Sequence, residues 1–182
     1  MKLILEGWRE YLSELSLGEP AKGTGGLQPY AAFVLEDNSK LLQYAPKGGF
    51  VIEGQPVPKW KVYAHHMTII TPKDMKHGRL PARWLDYGHD PEDPACIRVV
   101  GIAQNEQVIA VRVSLDGLPM PMKIPGLPHI TIATAIDPSR TKDPKYPKYY
   151  PPALSHKFVE EDFQPIPTGP FKVCGKVEEV IR

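Results

Sequence analysis

Apolar residues follow a helical period only at the start of the chain. Residues 3–16, LILEGWREYLSELS, set Ile4, Trp8, Tyr11, Leu12 and Leu15 at helical spacing with Glu and Arg between them, the pattern of an amphipathic helix with one face to bury. The apolar face of such a helix packs on the body of the protein or on a partner chain. The GEPAKGTGG stretch that follows has no period and reads as a linker. Its Lys22 precedes the glycines, whereas a phosphate-binding P-loop carries its lysine after them. Residues 1–26 are therefore read as helix plus linker, and residues 27–182 as the domain proper.

Beyond Tyr30 the pattern shortens to that of strands. YAAFVLE is a short apolar run, and DNSKLL after it reads as a short helix opened by Asp37 or Asn38. KVYAHHMTIIT is the first strong strand. IRVVGIAQ, the polar NEQ and VIAVRVSL together predict a hairpin, because β-branched residues crowd both sides of a short polar turn. HITIATAI follows a PGLP turn as a second strong strand. KFVEEDFQPI and FKVCGKVEEVI are further strand candidates, and DPSRTKDPKYPKYYPP between them is a proline-stiffened loop. With 21 prolines and 15 glycines the loops are long. The expected fold class is α+β, its antiparallel strands surrounding a cleft.

Length and charge narrow the picture further. A chain of 182 residues suits one globular domain with a real core. Its 22 basic residues nearly cancel its 21 acidic ones, so there is no general basic field of the kind duplex-binding proteins carry, and an anionic ligand must be gripped locally. Cys96 and Cys174 lie far apart in apolar stretches and suit free thiols in a reducing compartment, with a single bridge left open. Glu6, Arg9 and Glu10 interrupt any signal-peptide core, and no apolar run is long enough to span a bilayer. The expected location is the cytoplasm, with no membrane partner.

The chemistry concentrates in two of the strands. Residues two apart on a strand share a face, so His66 and Thr68 in AHHMTII point one way, and His129 and Thr131 in PHITIAT do likewise. A single His-x-Thr arises often by chance; two copies, each on a strand with an apolar middle residue and an isoleucine after the threonine, do not. Two imidazoles facing one cleft can divide the work of general acid and general base, since both protonation states are accessible near neutrality. Threonine hydroxyls beside them can donate to the non-bridging oxygens of a phosphate and stabilise the charge that builds there. His66 and His129 are thus the candidate catalytic pair, and Thr68 and Thr131 the candidate phosphate donors. His65 faces away by alternation and reads as a packing or supporting residue. His77, His89 and His156 lie in polar loops and read as solvated.

The paired motifs, His66-Met67-Thr68 and His129-Ile130-Thr131, resemble those of the two-histidine (2H) phosphoesterase superfamily. YAAFVLEDNSKLL is similar to the opening strand and helix of that family, and the resemblance runs from about Tyr30 to the C-terminus. It implies a bilobal α+β fold with two antiparallel sheets flanking a central groove, to which this chain adds its N-terminal helix. It also implies a metal-independent phosphodiesterase that needs no cofactor and acts on 2′,3′-cyclic phosphate RNA ends, cyclic nucleotides or oligonucleotides, including cyclic nucleotide signals used in defence. In the loop after the second motif, Arg140, Lys145, Tyr146 and Tyr149 interleave cations with aromatics and are candidate substrate contacts, as is Tyr63 before the first motif; packing is the competing role for each tyrosine. A module that binds an RNA end or nucleotide without turning it over is the alternative function. A metal hydrolase is the weaker one, for HxH and HExxH are both missing from the sequence.

Overall fold

A computed structural model describes residues 29–70, 95–116 and 126–181. The expected helix over 3–16, its linker to residue 26, His77 and His89 lie outside these residues. The strands are β1 (Pro29–Leu35), β2 (Gly49–Ile52), β3 (Gln55–Pro58), β4 (Trp60–Val62), β5 (His66–Ile70), β6 (Ala95–Gln104), β7 (Val108–Ser114), β8 (His129–Ala135), β9 (Gln164–Pro165) and β10 (Phe171–Ile181). Among the described residues, helical structure is confined to α1 (Ser39–Leu42) and two 3₁₀ turns, Pro152–Lys157 and Glu160–Asp162.

The expected bilobal α+β fold with two sheets is not what forms. The described residues are 50% strand and 11% helix, and one curled antiparallel sheet runs in the order β4-β8-β7-β6-β10-β1-β5, with β9 added beside β6. Strand β10 makes it a single sheet, pairing with β1 from Pro29↔Ile181 to Leu35↔Gly175 and with β6 from Phe171↔Val99 to Gly175↔Ala95. Eleven residues of alternating pattern supply both pairings, and nothing local in them says how many neighbours the strand will have. At Gly175 a Cβ would lie 2.0 Å from the Val34 carbonyl oxygen, so the close approach of β10 to β1 requires glycine there.

The segment KVYAHHMTIIT is two strands, not one. β4 pairs with β8 and β5 pairs with β1, at opposite ends of the sheet order. Between them Tyr63 N–H donates to Ile132 O at 2.8 Å, Ala64 N–H to Thr131 O at 3.0 Å, and Leu35 N–H to His65 O at 3.0 Å. The chain thus steps from one edge of the curl to the other. Ala64, with φ of 47° and its side chain in the core, makes the step in the left-handed region that L-residues seldom adopt.

Other elements arise for local reasons. The β6–β7 hairpin forms as expected, Asn105 Oδ1 accepting from the N–H groups of Gln107 and Val108 at 2.8 and 2.9 Å. At the start of α1 it is Asp37, not Asn38, whose carboxylate accepts from Ser39 N–H at 2.8 Å. The β2–β3 hairpin lies in the Gly- and Pro-rich stretch before Trp60, turned by Glu53 and Gly54 at φ of 49° and 80°, the conformation of a tight hairpin turn. KFVEEDFQPI is strand only at Gln164–Pro165, because Asp162 Oδ2 accepts from the Val159 N–H at 2.8 Å and closes a 3₁₀ turn at Glu160–Asp162 before it. Cys96 and Cys174 face each other across β6 and β10 and form a disulfide, replacing the expected free thiols and removing that argument for a reducing compartment. Phe33, Met67, Ile69, Ile97, Val111, Ile130 and Ile132 form the core on one face of the sheet. Among the described residues no helix is long and apolar enough to cross a membrane.

Candidate active site

The two motifs occupy matching positions. On β5, Met67 and Ile69 enter the core while His66 and Thr68 take the other face; on β8, Ile130 and Ile132 enter the core while His129 and Thr131 take the other face. Each threonine lies directly opposite an alanine, Thr68 opposite Ala32 and Thr131 opposite Ala110, so its neighbour strand adds little bulk beside the hydroxyl. Both strands then break register after the threonine: Ile69 is the extra residue between Ala31↔Ile70 and Ala32↔Thr68, and Ile132 the extra residue between Ile109↔Ala133 and Ala110↔Thr131. A bulge of this kind bends a strand and re-aims the side chains next to it.

The step at Ala64 brings the motifs together. The register Trp60↔Ala135, Lys61↔Thr134, Val62↔Ala133 continues through the Tyr63 and Ala64 hydrogen bonds, which carries His66 to the level of His129. Their electrostatics agree with that closeness. His66 is only 8% exposed, and burial, followed by the neighbouring imidazoles of His65 and His129, pushes its pKa down to about 3. His129 is half-buried. Burial lowers its pKa and His156 adds to the effect, while a hydrogen bond to the Leu127 carbonyl opposes it. A lone pair on the deeply buried ring and a more accessible partner that charges more readily suit His66 to the role of base and His129 to that of acid.

The structure surrounds His129 with groups that the sequence does not single out. Its Nδ1–H donates to Leu127 O at 2.7 Å, which fixes the tautomer, and its Nε2 lies 2.8 Å from Ser155 Oγ. Thr131 Oγ1 is also 2.8 Å from Ser155 Oγ, and Ser155 donates to Pro152 O at 2.8 Å. A hydroxyl has one proton to give. With that proton on Pro152, the Thr131 hydroxyl donates into the serine oxygen, and His129 Nε2 donates into it too once the ring is protonated at both nitrogens. His156 sets its ring edge-on against His129 at 4.7 Å between centroids, so it is a neighbour of the site and not the loop residue expected. Arg112 stands directly opposite His129 on β7 and pairs with Glu160. Arg112 had a sequence signal, since it breaks an apolar strand; Ser155 had none, because only the chain's return from the preceding loop brings it here.

His65 supports the first motif, donating from Nδ1 to Tyr63 O at 2.6 Å and packing 4.7 Å from the His66 ring. Tyr63 is 5% exposed, with the Lys61 ammonium 5.8 Å from its ring centre. The loop candidates gather elsewhere. Tyr149 pairs with Ile136 and donates its hydroxyl to Pro58 O at 2.8 Å, and Lys145 pairs with Glu53 at 2.5 Å. Tyr146 is 74% exposed; Arg140 is exposed beside Asp137, whose carboxylate and carbonyl organise the loop. Ile136 is seven residues along β8 from His129, roughly 23 Å at strand rise. Arg140, Lys145, Tyr146 and Tyr149 are thus anchored at the far end of β8, where an extended substrate, not a mononucleotide at the motifs, would meet them.

Among the described residues no three His, Cys, Asp or Glu side chains form a group that could hold a metal ion. Comparison with family models, with curated proteins and with solved structures finds no match to this chain.

Proposed function

We propose that the protein is a metal-independent phosphodiesterase in which His66 and His129 act as base and acid on a phosphate held by Thr68 and Thr131. The observation that carries this reading is the arrival of two separate His-x-Thr strands at one place, on one face, each followed by the same bulge. Its support in the residues is the likeness of the paired motifs to those of the two-histidine phosphoesterases. His66 would take the proton of the attacking hydroxyl or water; His129 would protonate the leaving oxygen; the threonines would donate to the non-bridging oxygens. The substrate class is a nucleotide phosphodiester: an RNA end bearing a 2′,3′-cyclic phosphate, or a cyclic or short oligonucleotide. Turnover of a panel of these in the presence of EDTA tests it. Hydrolysis that survives the chelator supports the reading, and loss of all turnover with the metal removed sinks it.

A binding module without turnover is the second reading, favoured by one observation: His129 Nε2 and the Thr131 hydroxyl are both engaged by Ser155. Saturable nucleotide binding with no product from any member of the panel would select it. We place the protein in the cytoplasm, where such RNA ends and signals occur. Thiol alkylation in freshly lysed cells tests this, since a formed Cys96–Cys174 bond in every molecule would indicate an oxidising compartment instead.

A further inference from the structure

The second motif is capped by a segment that offers it substrate-like groups. Ser155 puts one oxygen at 2.8 Å from both His129 Nε2 and Thr131 Oγ1, the hydroxyl and, in the protonated ring, the imidazolium N–H that a phosphoryl oxygen would need. Glu160, five residues on, puts a carboxylate on Arg112. Residues directly opposite on antiparallel strands share a face and lie about 5 Å apart, so Arg112 is on the motif face beside His129, while its neighbours Val111 and Val113 enter the core. A guanidinium beside an imidazole that must become a cation is unfavourable unless an anion offsets it. Here Glu160 pairs with Arg112 and offsets its charge.

Ser155, His156 and Glu160 all come from the stretch 152–162, which holds its own shape. Leu154 N–H donates to Pro151 O, Phe158 N–H to Ser155 O, Asp162 N–H to Val159 O and Phe163 N–H to Glu160 O. Phe158 and Phe163 pack edge to face at 5.7 Å. These bonds survive if the stretch lifts as a unit. The Arg112–Glu160 pair has side chains 30% and 54% exposed, and ion pairs so open to water hold little energy. A phosphate, with two charges to offer and a shape that fits the guanidinium fork, is the stronger partner for the same groups.

We propose that Arg112 is a phosphate-binding residue of this site, and that the stretch 152–162 closes the site with Ser155 and Glu160 standing where phosphoryl oxygens bind. This rests on the reading of the paired motifs as a phosphate site, and it adds a cation the motifs do not contain and a competitor built into the chain. The cost of opening falls on apparent affinity, which is reduced by the fraction of molecules that are closed.

Titration of the full-length protein with inorganic phosphate, followed through the imidazole nitrogen signals of His129, tests the proposal separately from turnover. Glu160→Gln and Ser155→Ala, alone and combined, are expected to tighten phosphate binding, roughly 3- to 30-fold for the pair, since they remove the competitor. Arg112→Gln is expected to weaken it roughly 10-fold or more, and Arg112→Lys to recover part of the loss. Opposite signs matter, because damage to the fold would weaken binding in both sets. Binding that is unchanged or weaker in Glu160→Gln and Ser155→Ala, indifference to Arg112→Gln, or no saturable phosphate binding in any variant overturns the proposal. Should Arg112→Gln melt far below the parent, the exposed Glu160→Gln decides: a gain upholds the competitor and no gain removes it. Phosphate binding with these signs but no turnover would keep this inference and discard the hydrolase.

Discussion

Ala64 donates its backbone N–H to the carbonyl of Thr131 at 3.0 Å, and this bond ties the approach to the first motif to the second. It is made possible by the left-handed turn at Ala64 itself, which takes the chain from pairing with β8 to pairing with β1. The two motifs are 63 positions apart in sequence, counted from His66 to His129, and this short crossing is what makes them one site.

A β-branched side chain at Ala64 should therefore do more harm than its size suggests. Ala64→Val is expected to cost about 1–3 kcal/mol through backbone strain alone, with overpacking of a fully buried position added to it. Ala64→Gly fits the positive φ and should lose much less. Thermal melting checks the stability. An imidazole titration checks the geometry, for a loosened turn that exposes His66 relieves the burial that mainly holds its pKa at about 3 and lets it climb toward its ordinary value.

The paired histidines should behave as one unit. His66→Ala and His129→Ala are each expected to lower the rate by roughly 10²- to 10⁴-fold, with the double variant little worse than either single. Steady-state kinetics on the best substrate of the panel measures this. A double variant whose loss is the product of two large single losses would contradict a shared acid–base step.

At the threonines the hydroxyl should matter and the shape should not. Thr68→Val and Thr131→Val are expected to lower the rate by roughly 10- to 10³-fold each, if their donation strengthens in the transition state, while serine at either position retains most of it. Full activity in both valine variants would remove the threonines from the mechanism.

The depressed histidines make two pH predictions. For stability, a histidine whose pKa is lower folded than unfolded is neutral in the folded protein while the unfolded chain binds a proton. Its contribution is complete above about pH 6.5 and falls as the pH drops toward the folded value. For His66 that window runs from about 6.5 down to about 3, with a slope near 1.4 kcal/mol per pH unit; His65, His129 and His156 act in the same direction. Chemical denaturation across this range should show the slope, and His66→Gln should reduce it. For activity, kcat/KM should be bell-shaped with an optimum on the acid side of 6.5, and kcat should peak at higher pH because a bound phosphate favours the imidazolium. A plateau on the alkaline side would contradict His129 as the acid.

What the residues determined alone is local. The alternation of HMTI and HITI decided which side chains leave the core, the polar Asn105 turn decided the β6–β7 hairpin, and the repeated His-x-Thr decided the candidate chemistry, because each depends on neighbours within a few positions. What only the tertiary structure decided is long-range. One large sheet formed where two flanking a groove were expected because β10 found partners on both edges, the cysteines met because that pairing set them opposite each other, and KVYAHHMTIIT broke at Ala64 because its two halves pair with different strands. Ser155 reached His129 across 26 positions by the same kind of route. Arg140, Lys145, Tyr146 and Tyr149 stayed at the far end of β8, although they follow the motif directly in sequence. Strand pairing and chain return are set by which apolar faces can be buried together, and a period-two pattern specifies the face while leaving the partner open.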